Sequence, residues 1–345
     1  MERLNVLAID CHGHFTTEPP EFHAFRKAQI AFAEGRTAER PVYAGIPDAE
    51  LRGIILSNQL RIQQERGSDF TILSPRASGM GHHVPGQETA TDWARLSNDT
   101  IRQICDLFPQ NFAAVCQLPQ TVDGGLGPVI AELERCVAAG FIGCNLNPDP
   151  SGGHWSAPPL YDPWWDPLWD ALTRLDVPAM IHVSGSCERA LHTTGAYYLA
   201  ADTTVFMQLI EGDLFERYPT LRLIIPHGGG AVPYHWGRFR GLAMALKKPA
   251  LEEHLLGNVF FDTCVYHQPG IDLLLDVIPT RNILFASEMI GAVRDIDPCT
   301  GHNFDDTARY IEAAGLAAPD LEAIQEHNAR TVYPRLNALL KQQGR

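Results

Sequence analysis

The run Asp10-Cys11-His12-Gly13-His14 directly follows an apolar stretch, Val6-Leu7-Ala8-Ile9. Alternate side chains of an extended chain share a face, so His12 and His14 can offer two imidazoles to one ion from a strand end. Imidazole is the commonest protein ligand for zinc-like ions, although paired histidines in a surface loop also recur without binding anything. Three residues elsewhere could complete a site: His182 after Pro178-Ala179-Met180-Ile181, His227 after Leu223-Ile224-Ile225-Pro226, and Glu288 after Ile283-Leu284-Phe285-Ala286-Ser287. Singly, each has an ordinary alternative: a hydrogen-bonded core histidine, a cap on a glycine turn, an acid at a helix start. Placement of all five at the ends of strand-like runs favours a common site. Nitrogen and carboxylate ligands with an open position suit a catalytic zinc, and manganese or iron would accept the same set.

The elements that must position these residues are legible as eight short apolar runs: Val6 to Asp10, Phe70 to Leu73, Phe112 to Gln117, Ile142 to Leu146, Ala179 to Val183, Leu223 to Pro226, Val259 to Asp262 and Ile283 to Ala286. Segments of helical periodicity separate them, such as Val129, Ile130, Leu133, Cys136 and Val137. Strands buried on both faces and alternating with helices predict a parallel sheet, and eight of them an α/β fold closed as a (β/α)8 TIM barrel. Catalytic groups of such barrels come from the carboxyl ends of different strands. Residues 15–67 exceed one crossover and predict a helical insertion over the barrel mouth. The Pro-rich stretch from Asn147 to Pro163 predicts an ordered loop on the same face. With no linker or repeat, residues 1–345 read as one domain.

At 345 residues, with 45% hydrophobic and 20% charged content, the composition is that of a globular protein without a bilayer-spanning stretch. Met1 to Asn5 runs into the first strand, which leaves no room for a signal peptide and predicts a cytoplasmic location. A net charge of -14 argues against a nucleic-acid surface and requires local positive charge for any acidic ligand. The eight cysteines form no C-x-x-C pair and read as reduced, with Cys116 and Cys144 as small core residues and Cys187 and Cys264 nearer the candidate site. Gly228-Gly229-Gly230 reads as a turn passing close beside a ligand; it lacks the Lys and Ser/Thr of a phosphate loop.

The order His-x-His, His182, His227 and a final acid resembles the amidohydrolase superfamily, in the branch of the aminocarboxymuconate-semialdehyde and resorcylate-type decarboxylases. Those decarboxylases usually carry aspartate at the last position, whereas this chain has Ala286-Ser287-Glu288. Glutamate there, with Leu73-Ser74-Pro75-Arg76, Asn145-Leu146-Asn147-Pro148-Asp149-Pro150, Pro226-His227-Gly228-Gly229-Gly230, Tyr234-His235-Trp236-Gly237-Arg238-Phe239-Arg240 and Phe261-Asp262-Thr263-Cys264-Val265-Tyr266-His267, resembles the 4-oxalomesaconate hydratase family from end to end.

That resemblance implies a hydro-lyase of protocatechuate or gallate 4,5-cleavage, adding water to 4-oxalomesaconate (enol form 4-carboxy-2-hydroxymuconate) to give 4-carboxy-4-hydroxy-2-oxoadipate. It implies a divalent cofactor, zinc first, held by His12, His14, His182 and Glu288, with Glu288 as general acid and His227 as general base or water-orienting group. The tricarboxylate substrate would meet Arg76 and Arg238, with Asn147, Ser184, His82, His83 and His192 as further lining residues. A homodimer is expected by analogy. The rival readings are a metal-dependent decarboxylase, disfavoured by Glu288, and a lactone or amide hydrolase, disfavoured because Asn145 and Asn147 stand where a bridging lysine would. A metal-binding scaffold without turnover would tolerate loss of Glu288 and of the arginines.

Overall fold

The computed structural model describes residues 6–345; the expectation for Met1 to Asn5 lies outside the described residues. Eight strands stand in chain order in one sheet: β1 (Ile9–Phe15), β2 (Phe70–Pro75), β3 (Phe112–Gln117), β4 (Gly143–Leu146), β5 (Ala179–Ile181), β6 (Leu223–Ile225), β7 (Val259–Asp262) and β8 (Ile283–Leu284). Each pairs in parallel with the next. The ring closes where Cys11 N donates to Phe285 O and Glu288 N donates to His12 O, both at 2.9 Å. The expected (β/α)8 barrel forms.

Between β1 and β2 stand α1 (Pro20–Ala33), α2 (Asp48–Ser57) and α3 (Gln59–Glu65). The crossovers that follow carry α4 (Gln87–Leu107), α5 (Leu126–Ala138), α6 (Asp166–Leu175), α7 (Tyr198–Glu211), α8 (Leu214–Arg217) and α9 (Trp236–Ala245). The inserted α1 and α2 pack against α4. α4 turns Trp93, Ala94, Ile101 and Ile104 inward at helical spacing, as a helix laid on a sheet must. The barrel interior is filled by alternate strand residues, among them Ile9, Ile72, Val115, Met180, Ile224 and Leu284, and Tyr333, Leu336 and Leu340 of the C-terminal segment pack against them. Leu, Val and Phe side chains of the other strand faces and of the helices form the outer core.

Two strand boundaries differ from the sequence reading in ways that matter for the site. β1 runs through both histidines, because the β1–β2 register shifts between Asp10 and Gly13 and pairing resumes at Gly13↔Leu73 and His14↔Ser74. A one-residue shift moves following side chains to the opposite face. Ile9 and Cys11 therefore point into the barrel, and so do His12 and His14 beyond the bulge. β8 keeps only Ile283 and Leu284; Ala286 has left the ladder, its N–H and C=O taken instead by Thr263 Oγ1, with Thr307 Oγ1 as a second donor to the carbonyl.

Candidate active site

The three imidazoles of His12, His14 and His182 are buried and meet edge to edge at the carboxyl ends of β1 and β5. Each Nδ1 faces an acceptor: Asp262 Oδ2 for His12 (2.8 Å), Ser74 Oγ and Pro75 O for His14 (2.7 and 3.2 Å), and Val183 O for His182 (2.9 Å). These partners place the proton on Nδ1 and leave every Nε2 with a lone pair. Yet the Nε2 atoms face each other, 3.0 Å apart for His12 and His14 and 3.2 Å for His14 and His182. Acceptors turned on acceptors at this distance repel unless a cation lies between them. Burial, reinforced by the neighbouring imidazoles, holds His14 and His182 well below the ordinary histidine pKa, so they stay neutral and free to ligate. A carboxylate oxygen of Glu288 completes the group, whose four donor atoms all lie within 4.8 Å of one another.

Glu288 and His227 both adopt left-handed backbone, with φ of 50° and 52°. That conformation is costly for residues with a Cβ and collects at functional sites where the surroundings enforce it. Around Glu288, Asp10 accepts from Ser287 N–H and from Ser287 Oγ, and also from His12 N–H, tying the end of β8 to β1. Tyr266 Oη then donates to Glu288 Oε2 at 2.7 Å; burial, with Glu288 beside it, keeps that phenol protonated. Around His227, the three glycines that follow all have positive φ. A Cβ on Gly228 would sit 2.3 Å from Val265 Cγ2, and one on Gly230 would sit 2.5 Å from Leu199 O. The neighbours that the glycine run makes room for are therefore the β7 loop and α7 of the protein, rather than the ligand that the sequence suggested.

His227 Nδ1 pairs with Asp202 Oδ2 at 2.9 Å, and its ring stacks on Tyr198 at 5.3 Å between centroids. Its Nε2 is buried without a hydrogen-bond partner and lies 4.0 Å from Glu288 Oε2. Burial pushes the imidazole down, but Asp202, Glu288 and Asp262 together outweigh it and lift the pKa to about 9. Asp202 is itself raised to about 6 by burial, against the pull of His227.

Above the histidines opens a cleft of about 290 Å³ lined by His14, Glu288, Arg76, Tyr198 and Arg294 among others. Arg76 is therefore at the cleft, with Nε on Ser78 Oγ at 3.0 Å and NH1 3.9 Å from the Glu18 carboxylate. The remaining expected lining residues lie elsewhere. His82, Asn147 and Ser184 form a buried hydrogen-bonded cluster of their own, in which His82 Nε2 donates to Leu118 O (2.9 Å) and Nδ1 accepts from Asn147 Nδ2 (2.7 Å). His83 borders a neighbouring cavity of about 350 Å³. His192 is exposed and caps the turn before α7 through Gly195 N–H, and Arg238 is exposed on α9. Asp202, Tyr198, Tyr266 and Arg294 escaped the sequence reading. The first two share a signal: 198, 201, 202, 205 and 209 are the buried stripe of α7, and an aspartate within an apolar stripe needs a partner. Arg294, in an irregular loop, has no such signal.

The amidohydrolase family profile matches residues 9–335. The chain belongs to the amidohydrolase family. A 2-keto-4-carboxy-3-hexenedioate hydratase of a Sphingobium species is 59% identical to this amidohydrolase over 98% of the chain and 99% of its own length. The crystal structure of 4-oxalomesaconate hydratase from Rhodopseudomonas palustris superposes with a TM-score of 0.91 at 52% identity, covering 98% of this chain and 99% of that one. A dihydroxybenzoic acid decarboxylase of a Polaromonas species, solved with bound manganese, shares the fold at a TM-score of 0.70 and 22% identity, covering 96% of this chain and 98% of that one. The amidohydrolase fold and the His/Glu cluster together suggest a divalent metal ion. Among the described residues, no helix is long and apolar enough to cross a membrane.

Proposed function

We propose that this amidohydrolase is a metal-dependent hydro-lyase adding water across the carbon-carbon double bond of 4-oxalomesaconate, in the degradation of aromatic acids by ring cleavage. The observation that carries the reading is the set of three unprotonated Nε2 atoms beside Glu288, with a fourth imidazole, His227, whose Nε2 is buried and unpartnered. The near-full-length similarity to two hydratases supports the choice of substrate.

His12, His14, His182 and Glu288 would hold the ion, for which zinc is the proposed identity. When bound, such an ion would supply Lewis acidity, lowering the pKa of a nearby water toward neutrality and offsetting negative charge that develops on the substrate. In the reaction the water oxygen bonds to the carbon bearing the middle carboxylate, the double-bond pair shifts to its neighbour, and that neighbour takes a proton. His227 Nε2 would accept the proton of the attacking water. Asp202 fixes the ring and stabilises its protonated form. A divalent ion held by the histidines would offset part of the negative charge that raises the His227 pKa and would favour the neutral ring a base requires. Glu288, with Oε2 held by Tyr266, would deliver the proton to carbon, and Arg76 would pair with a substrate carboxylate.

Absorbance of the conjugated enol of 4-oxalomesaconate, followed with native, chelated and zinc-restored protein, tests this. Loss of the chromophore with formation of 4-carboxy-4-hydroxy-2-oxoadipate, abolished by chelation, is expected. Glu288→Gln and His227→Asn should each lose at least a hundredfold in kcat. A flat trace with fully metallated protein rules out the substrate, and near-normal turnover by Glu288→Gln rules out its role as acid.

A further inference from the structure

We propose that Arg294, with Arg76, forms a two-armed carboxylate clamp that selects a polyanionic substrate; the inference rests on the reading that the cleft binds a tricarboxylate. Arg76 follows β2, and Arg294 lies in the loop after β8. In the closed ring β1 stands between those strands. Two strand spacings, roughly 10 Å, thus separate the strand ends from which the two arginines line one cleft, which His14 of β1 and Glu288 also line. A chain carrying carboxylates at both ends can meet one arm at each end while its middle faces the histidines.

Three observations mark Arg294 as more than a surface arginine. It lines the cleft. Among the described residues it makes no ion pair, although Asp295 and Asp297 follow it in sequence; its guanidinium contacts Thr16 O at 3.5 Å. Its loop is anchored on both sides: Ile290 N–H donates to Asp305 Oδ2 (2.7 Å), Asp305 Oδ1 pairs with Arg66 (2.8 Å), and Thr16 Oγ1 donates to Ile290 O (2.8 Å). Beyond Arg294, the turn is closed by Asp297 N–H on His302 O (2.8 Å) and the bridge between Ile296 and Asn303. The backbone that carries the guanidinium is thereby ordered before any ligand arrives, which reduces the entropic cost of binding. An unpaired guanidinium fork on an ordered loop in an acidic protein matches a carboxylate bidentately.

Steady-state hydration by zinc-loaded wild type, Arg294→Ala and Arg294→Lys decides the matter, with calorimetric titration of propane-1,2,3-tricarboxylate and pentanedioate into the same proteins. For Arg294→Ala the expectation is a KM raised about 10- to 100-fold with kcat within threefold, partly restored by lysine. Affinity should fall by at least tenfold for the tricarboxylate and for pentanedioate alike, since both carry the two terminal carboxylates that the arms would meet. A wild-type KM in Arg294→Ala overturns the clamp and leaves the hydratase reading standing. If wild type fails to hydrate, that reading falls, and the titration still judges the clamp: no binding of the tricarboxylate, or affinity unchanged in Arg294→Ala, overturns it.

Discussion

Replacing Asp262 by asparagine should weaken metal binding without unfolding the protein. Asp262 is fully buried; its Oδ1 accepts from Gly228 N–H (3.1 Å) and Cys264 N–H (3.0 Å), while Oδ2 accepts from His12 Nδ1–H (2.8 Å). Asparagine has one oxygen for these three donors. Turned toward His12, that oxygen would leave two backbone N–H groups facing an NH2, each at about 1 to 3 kcal/mol. Kept on the backbone groups, it puts the NH2 against a single imidazole, which escapes by moving its proton to Nε2. The second arrangement wins, and it aims His12 Nε2–H at His14 Nε2, 3.0 Å away, where it donates a hydrogen bond and closes the ligand pocket. Binding an ion then requires the unfavourable tautomer with two buried donors opposed, about 2 to 3 kcal/mol, or roughly 30- to 150-fold in affinity. Competition with a chromophoric chelator measures the affinity, and two-dimensional nitrogen-proton correlation of the imidazoles reports the tautomer. Unaltered thermal unfolding in the presence of chelator checks the fold. If Asp262→Asn holds zinc as tightly as wild type, tautomer control by Asp262 is wrong.

Tyr266→Phe removes the donor to Glu288 Oε2 while sparing the histidines, so kcat should fall about tenfold with metal content by elemental analysis unchanged; an unchanged kcat would show that Glu288 is held by its backbone alone. Burial lowers the His82 pKa to about 4, from 6.5 in the unfolded chain. Its contribution is therefore intact above pH 6.5 and is lost as pH falls toward 4. Linkage makes the loss about 2 kcal/mol at pH 5, and denaturant midpoints at pH 7 and pH 5 should show it in wild type and miss it in His82→Gln; equal losses in both refute the assignment. Chelated protein should lose affinity for propane-1,2,3-tricarboxylate, since the cleft then lacks the positive charge of the ion; titration showing equal affinity with and without zinc would argue against coupling of ion and substrate.

The barrel and its five rim residues were legible because each rests on a local pattern: short apolar strands spaced by amphipathic helices, with histidine or an acid at the exit. The bulge in β1 was not, since nothing in Asp10-Cys11-His12-Gly13-His14 specifies a register that depends on pairing with Phe70 to Pro75. The lining residues fared unevenly for a similar reason. Arg76 follows its strand directly and reaches the cleft, whereas Asn147 and His82 satisfy one another, and Arg238 is carried away on a helix. Strand-end position predicts where a side chain starts, but the partner that fixes its tip is often distant in sequence, as with Asp262 for His12 and Asp202 for His227.

The glutamate at the eighth strand end illustrates the converse, in which one residue type dictates its neighbours. Glu288 reaches one methylene further than the aspartate of the decarboxylases it resembles, and a Cβ at position 291 would lie 2.6 Å from its backbone O, 2.8 Å from its Cγ and 3.0 Å from its Cδ, the carbon that aspartate lacks. Only glycine fits there. Tyr266 is set at the matching distance, with its hydroxyl 2.7 Å from Oε2, and His227 Nε2 stands 4.0 Å from the same oxygen. A shorter carboxylate would leave the Tyr266 hydroxyl buried and unpaired, at about 1 to 3 kcal/mol, and would withdraw the proposed proton donor from His227. Decarboxylation releases carbon dioxide and leaves a carbon that takes a proton, so it needs no water activated beside the acid. Addition needs a base and an acid on either side of one double bond, and the left-handed turns at His227 and Glu288 hold two such groups a few ångströms apart.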